Sequence, residues 1–111
     1  MRIALMSDIH GQLAALDAVL ADADGQGADA IVCLGDVATI GPAPNAVIDA
    51  LRTRGIPCVR GNHDLAALDP AAAADYAISP LLLPALDWCV GQLTAENLAY
   101  LRAAQPVIAI P

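Results

Sequence analysis

Three short apolar runs, Arg2–Met6, Ala30–Leu34 and Ile56–Arg60, alternate with segments of helical periodicity, and this alternation limits the fold more than any other feature. Between the first two runs, Leu13, Leu16, Leu20 and Ala23 recur at helix spacing within 11–23, until Asp24-Gly25-Gln26-Gly27 ends the segment. Between the second and third, a helix over 45–54 turns Val47, Ile48 and Leu51 inward and stops at Gly55. Strand, helix, strand, helix, strand with short connections predicts a right-handed βαβαβ unit with a parallel sheet. After Asp64 the alternation stops. The remainder reads as a partly helical stretch over 65–75, a helix within 81–92 that begins near Pro84, and another over 95–104 capped by Thr94. The apolar tail over 106–111 reads as the start of a further strand.

At 111 residues the chain is a single domain at most. Although 58% of its residues are apolar, many are alanines in helix-periodic segments, and no run reaches the roughly 18 to 20 apolar residues of a membrane span. Asp8 and His10 interrupt the apolar start too early for a secretory signal, so a cytoplasmic protein with no membrane partner is expected. Twelve acidic residues against five arginines and no lysine give a net charge of −7, which argues against a nucleic-acid footprint. That charge would also repel anionic substrates unless bound cations inverted the local field. Cys33, Cys58 and Cys89 show no C-x-x-C spacing, and the first two fall in strand-like runs, where a thiol serves as a small hydrophobe.

Each of the three runs ends in a polar cluster: Asp8-Ile9-His10, then Gly35-Asp36, then Gly61-Asn62-His63-Asp64. Residues at the C-terminal ends of neighbouring parallel strands share one crevice, where open α/β sheets bind ligands. In extended backbone Asp8 and His10, two apart, would lean to the same side, and Gly11 would turn the chain into the following helix. The two oxygens of Asp36 could bridge a pair of cations, or the residue could serve a turn. Asn62 offers a neutral oxygen ligand and His63 a proton donor. Asp64 reads better as a hydrogen-bond acceptor that steadies the loop. Arg54 and Arg60 could contact a phosphate, Arg60 being equally placed to pair with a neighbouring carboxylate. A nucleotide-binding Rossmann turn is excluded, because Ser7-Asp8-Ile9-His10-Gly11 lacks G-x-G-x-x-G and presents a carboxylate instead of bare amides.

Together, Asp8/His10, Gly35-Asp36 and Gly61-Asn62-His63-Asp64 resemble the signature of the calcineurin-like metallophosphoesterases, D-x-H, G-D and G-N-H-D/E, in order and spacing. The Gly41-Pro42-x-Pro44 loop is similar to that of the small bacterial phosphodiesterase branch. The resemblance implies that the chain is the N-terminal βαβαβ half of a four-layer αββα sandwich. It also implies a metal-dependent phosphodiesterase or phosphomonoesterase acting on a small phosphoester substrate. Two divalent cations (Mn, Fe, Ni or Zn) would be held with Asp8 and His10 on the first, Asp36 bridging and Asn62 on the second. His63 would protonate the leaving oxygen or stabilise the transition state, and a metal-activated hydroxide would attack phosphorus.

Members of that family supply further histidines later in the fold, whereas this sequence contains only His10 and His63. The second cation would then keep only Asp36 and Asn62. Residues 1–111 are therefore expected to form a partial domain, the N-terminal portion of a longer enzyme. One sheet face would lack cover, so a second copy of the chain or the missing C-terminal half is the expected partner. The alternative is an inactive fragment or pseudoenzyme that binds a single metal or a partner.

Overall fold

The structure, a computed structural model, describes residues 1–111. The first two apolar runs form strands β1 (Ile3–Met6) and β2 (Ala30–Cys33), joined by helix α1 (Leu13–Gly25). The strands pair in parallel, with Ile3 opposite Ala30 and Met6 opposite Cys33. Helix α2 (Pro44–Thr53) starts on a proline, whose missing N–H is no loss at a first helical position. Its buried Val47, Ile48 and Leu51 are the residues that the periodicity turns inward.

The third run corrects the expectation of a full strand. It touches β2 through a single parallel bridge, Cys33 to Cys58, with the Cys33 N–H on the Pro57 carbonyl and the Val59 N–H on the Cys33 carbonyl. Pro57 has no N–H with which to lengthen the ladder, and Gly61 ends the extended backbone. The tail expected to start a strand forms none: only Gln105 bridges, to Val59, and Pro106 follows directly. The chain is thus a mixed α/β fold around a parallel two-stranded sheet.

Helix α3 (Asn62–Leu68) opens inside the third polar cluster, earlier than expected, and a 3₁₀ segment over Pro70–Tyr76 follows. A shorter 3₁₀ turn, Pro80–Leu82, leads into α4 (Leu83–Gln92), and α5 (Ala95–Ala103) begins after Thr94, whose hydroxyl accepts from the Asn97 N–H. All five helices pack into one core. Leu16 and Leu20 of α1, Ile48 and Leu51 of α2, Ala66 of α3, Leu86 of α4 and Leu101 of α5 meet Met6, Cys33 and Cys58 there. The cysteines are free and buried, in keeping with a packing role. The opposite sheet face is partly open: Ile3, Leu5 and Leu34 are 39%, 61% and 43% exposed, while Val32 between them is buried. No helix is long and apolar enough to cross a membrane.

Candidate metal centre

The loops after β1 and β2 are laced together by backbone. The N–H groups of Asp8, His10 and Gly11 donate to the carbonyls of Gly35, Asp36 and Val37, at 3.0, 3.0 and 2.8 Å. Asp8, His10 and Asp36 all adopt left-handed backbone, with φ of 58°, 46° and 58°. Asp8 and His10 therefore reach one site through two tight reversals, and the extended alternation expected from their spacing is absent. Left-handed conformation costs an L-residue about 1–2 kcal/mol, and such strain concentrates at functional sites. Two glycines make the loops possible by close approach. A Cβ on Gly41 would overlap the His10 carbonyl, and one on Gly61 would overlap the Asp36 carboxylate.

In this arrangement ligand atoms of Asp8, His10 and Asp36 all lie within 4.8 Å of one another. His10 Nε2 is 3.3 Å from Asp8 Oδ1. The Ser7 hydroxyl, donating to Asp8 Oδ2 at 2.6 Å, is the main reason that the Asp8 carboxyl falls below its usual range, and nearby His10 adds to it. Asp36 Oδ1 accepts the His63 N–H at 3.0 Å, which leaves the other carboxylate oxygen without a protein donor.

The third cluster closes the site. Asp64 is the loop-stabilising acceptor expected: it is 1% exposed and takes the N–H groups of Gly61 and Asp36 on Oδ2 (2.8 Å each) and that of Val37 on Oδ1 (3.1 Å). Burial, the larger effect, pushes its carboxyl up, and the three N–H groups pull it back. The His63 ring meets that of His10 edge-on, with centroids 4.9 Å apart. Asn62, exposed at the start of α3, commits its amide nitrogen to the Tyr76 carbonyl at 2.9 Å, so its amide oxygen stays free. The structure thus gathers Asp8, His10 and Asp36 and sets the His63 ring against that of His10, while Asn62, the residue before His63, turns its amide nitrogen to Tyr76.

One contributor has no sequence signature. Thr39, 1% exposed, accepts the His10 Nδ1–H on its carbonyl at 3.1 Å and holds its hydroxyl 2.9 Å from His63 Nδ1. Neither arginine takes the role considered for it from sequence in the simplest way. Arg54 grips Asp24 with two bonds of 2.8 and 2.9 Å, while Arg60 pairs with no carboxylate and donates Nε–H to the Ala104 carbonyl.

Two carboxylates and an imidazole with open lone pairs form a donor set that suits a divalent first-row cation, and a cation would relieve the repulsion between Asp8 and Asp36. The three residues fit one divalent cation.

The family model described as calcineurin-like phosphoesterase matches residues 1–105. An uncharacterized protein of Methanocaldococcus jannaschii is 36% identical over 106 residues, 96% of this chain and 43% of that protein. The crystal structure of a metallophosphoesterase from Sphaerobacter thermophilus superposes with a TM-score of 0.72 at 37% identity, covering 94% of this chain and 41% of that one. That of a candidate diadenosine tetraphosphatase gives 0.66 at 29% identity, covering 93% and 42%. The chain spans less than half the length of each of these relatives.

Proposed function

The chain belongs to the calcineurin-like phosphoesterase family of hydrolases, and on that premise we propose that it serves metal-dependent hydrolysis of small phosphoesters at the Asp8, His10, Asp36 cluster. The observation that carries this reading is the convergence of those three side chains, from two separate loops, within 4.8 Å. Divalent cations bound there would polarise phosphoryl oxygens and lower the pKa of a water. The chain's own groups would do the rest. Asp8, held low by Ser7, stays ionised, and His10 presents Nε2 to the same point because its Nδ1–H is held by the Thr39 carbonyl. Asp36, with one carboxylate oxygen fixed by the His63 N–H and the other free of protein donors, would be the ligand shared between two cations. The free amide oxygen of Asn62 would serve a second cation, and the His63 side chain would protonate the departing oxygen or stabilise its developing charge by a hydrogen bond. The likeness to a candidate diadenosine tetraphosphatase puts phosphoanhydride-bridged nucleotides among the substrates to be assayed.

A second reading has its own support. Because the second cation meets only Asp36 and Asn62, the chain alone would hold one cation and act as a binding module, with catalysis completed by a second copy or by further sequence laid on the open face of Leu5 and Leu34. The test is hydrolysis of bis-p-nitrophenyl phosphate and p-nitrophenyl phosphate by the purified chain with Mn²⁺, beside Asp36→Asn. Mn²⁺-dependent turnover that is lost in the variant is the expected result. A folded chain with no turnover on either ester would leave the one-cation reading.

A further inference from the structure

We infer that Thr39 is a positioning residue that sets opposite tautomers on the two histidines, making His10 Nε2 a lone-pair ligand and His63 Nε2–H a hydrogen-bond donor. The inference deepens the reading of His63 as the group that faces the leaving oxygen, where its neutral Nε2–H would donate a hydrogen bond to the developing negative charge, and it rests on that reading for its catalytic meaning.

The argument is a count of donors and acceptors. A backbone carbonyl can only accept, so the 3.1 Å contact between the Thr39 carbonyl and His10 Nδ1 places a proton on Nδ1. In a neutral ring Nε2 is then bare, and it is Nε2 that lies beside Asp8. A hydroxyl can donate or accept, so the 2.9 Å contact between Thr39 Oγ1 and His63 Nδ1 needs a second criterion. Thr39 is 1% exposed and its hydroxyl makes no other hydrogen bond, so His63 Nδ1 is the one acceptor within its reach. Were Nδ1 to carry the proton, the hydroxyl hydrogen would be buried without a partner, which a protein interior disfavours. The hydroxyl therefore donates, and the proton of neutral His63 sits on Nε2, the nitrogen turned away from Thr39. Two imidazoles with centroids 4.9 Å apart would otherwise be interchangeable. The carbonyl and hydroxyl of one residue make them chemically different, one suited to a cation and the other to a developing negative charge on a leaving oxygen.

The test is long-range ¹H–¹⁵N NMR of the metal-free chain about two pH units above the free imidazole value of about 6.5. The wild type should show His10 protonated at Nδ1 and His63 protonated at Nε2. Thr39→Val removes the hydroxyl and keeps the carbonyl, so His63 should become a tautomer mixture while His10 is unchanged, and Thr39→Ser should restore the pattern. With Mn²⁺, Thr39→Val should lower kcat roughly ten- to a hundredfold on phenyl phosphate, less on p-nitrophenyl phosphate with its better leaving group, and leave KM unchanged. A wild-type His63 protonated at Nδ1 would overturn the inference, and that spectrum needs no variant to fold. A tautomer unmoved in folded Thr39→Val, or equal kcat losses on both esters, would overturn it as well. A wild type with the expected tautomers but no turnover would refute the hydrolase reading and uphold the tautomer assignment.

Discussion

Removing the Asp64 carboxylate should unfasten the site from beneath. The side chain ties the G-N-H-D loop to the Gly35-Asp36 loop by accepting three backbone N–H groups, at 2.8, 2.8 and 3.1 Å, from a nearly sealed position. In Asp64→Ala those three donors lose their partner. Each buried unsatisfied group costs about 1–3 kcal/mol, and relief of the buried charge together with water entry offsets part of the sum. The expected loss is about 3–5 kcal/mol. Set against the roughly 5–15 kcal/mol that holds a domain folded, this is a large fraction. Asp64→Asn keeps the shape and one acceptor oxygen, so two bonds can survive on that oxygen while the amide group opposes the third N–H. Its loss should be smaller, about 1–2 kcal/mol. Urea unfolding followed by circular dichroism, fitted with a common slope, measures both values. An Asp64→Ala chain within about 0.5 kcal/mol of wild type, a surface-like value, would refute the claim that this carboxylate holds the two loops together.

Three further outcomes are expected. Gly41→Ala would drive a Cβ into the His10 carbonyl, costing about 3 kcal/mol and abolishing any Mn²⁺-induced thermal shift, as a melting curve with and without Mn²⁺ would show. In the wild type, Mn²⁺ at about 100 times its Kd should stabilise the fold by about 2.7 kcal/mol, a rise in Tm of roughly 10 °C that chelation reverses. Tyr100 donates its hydroxyl to the Ile56 carbonyl at 2.9 Å, and burial pushes the phenol well above its ordinary value of 10.0. Its stabilising contribution is thus fully present below pH 10 and fades as pH rises toward the folded-state value, so Tyr100→Phe should lose about 1 kcal/mol at neutral pH and less in alkali, as urea titrations at both pH values would show.

The parts of this fold legible in the sequence are those with a period or an address. Leu16 and Leu20, and Val47, Ile48 and Leu51, are buried because helical spacing places them on one face. Asp8, His10 and Asp36 converge because each follows a strand of the same parallel pair. The third strand was harder to read because Pro57 and Gly61 leave it one bridge to β2 and one to Gln105, a backbone limit hidden behind apolar composition. The early start of α3 had a faint signal: Asp64 accepts the Gly61 N–H from three residues on, as a capping box does. Thr39 had none. A threonine in a loop carries no pattern, and its value lies in being sealed at 1% exposure between two histidines that the chain brings from different directions.

The most direct test of the central claim is Mn²⁺ binding, measured by titration calorimetry and electron paramagnetic resonance on the wild type and on Asp8→Asn, His10→Ala and Asp36→Asn. The cluster predicts at least one site in the wild type that weakens by an order of magnitude or more, about 1.4 kcal/mol, in each variant. Binding that is absent from a folded wild type, or that survives all three substitutions unchanged, would contradict it.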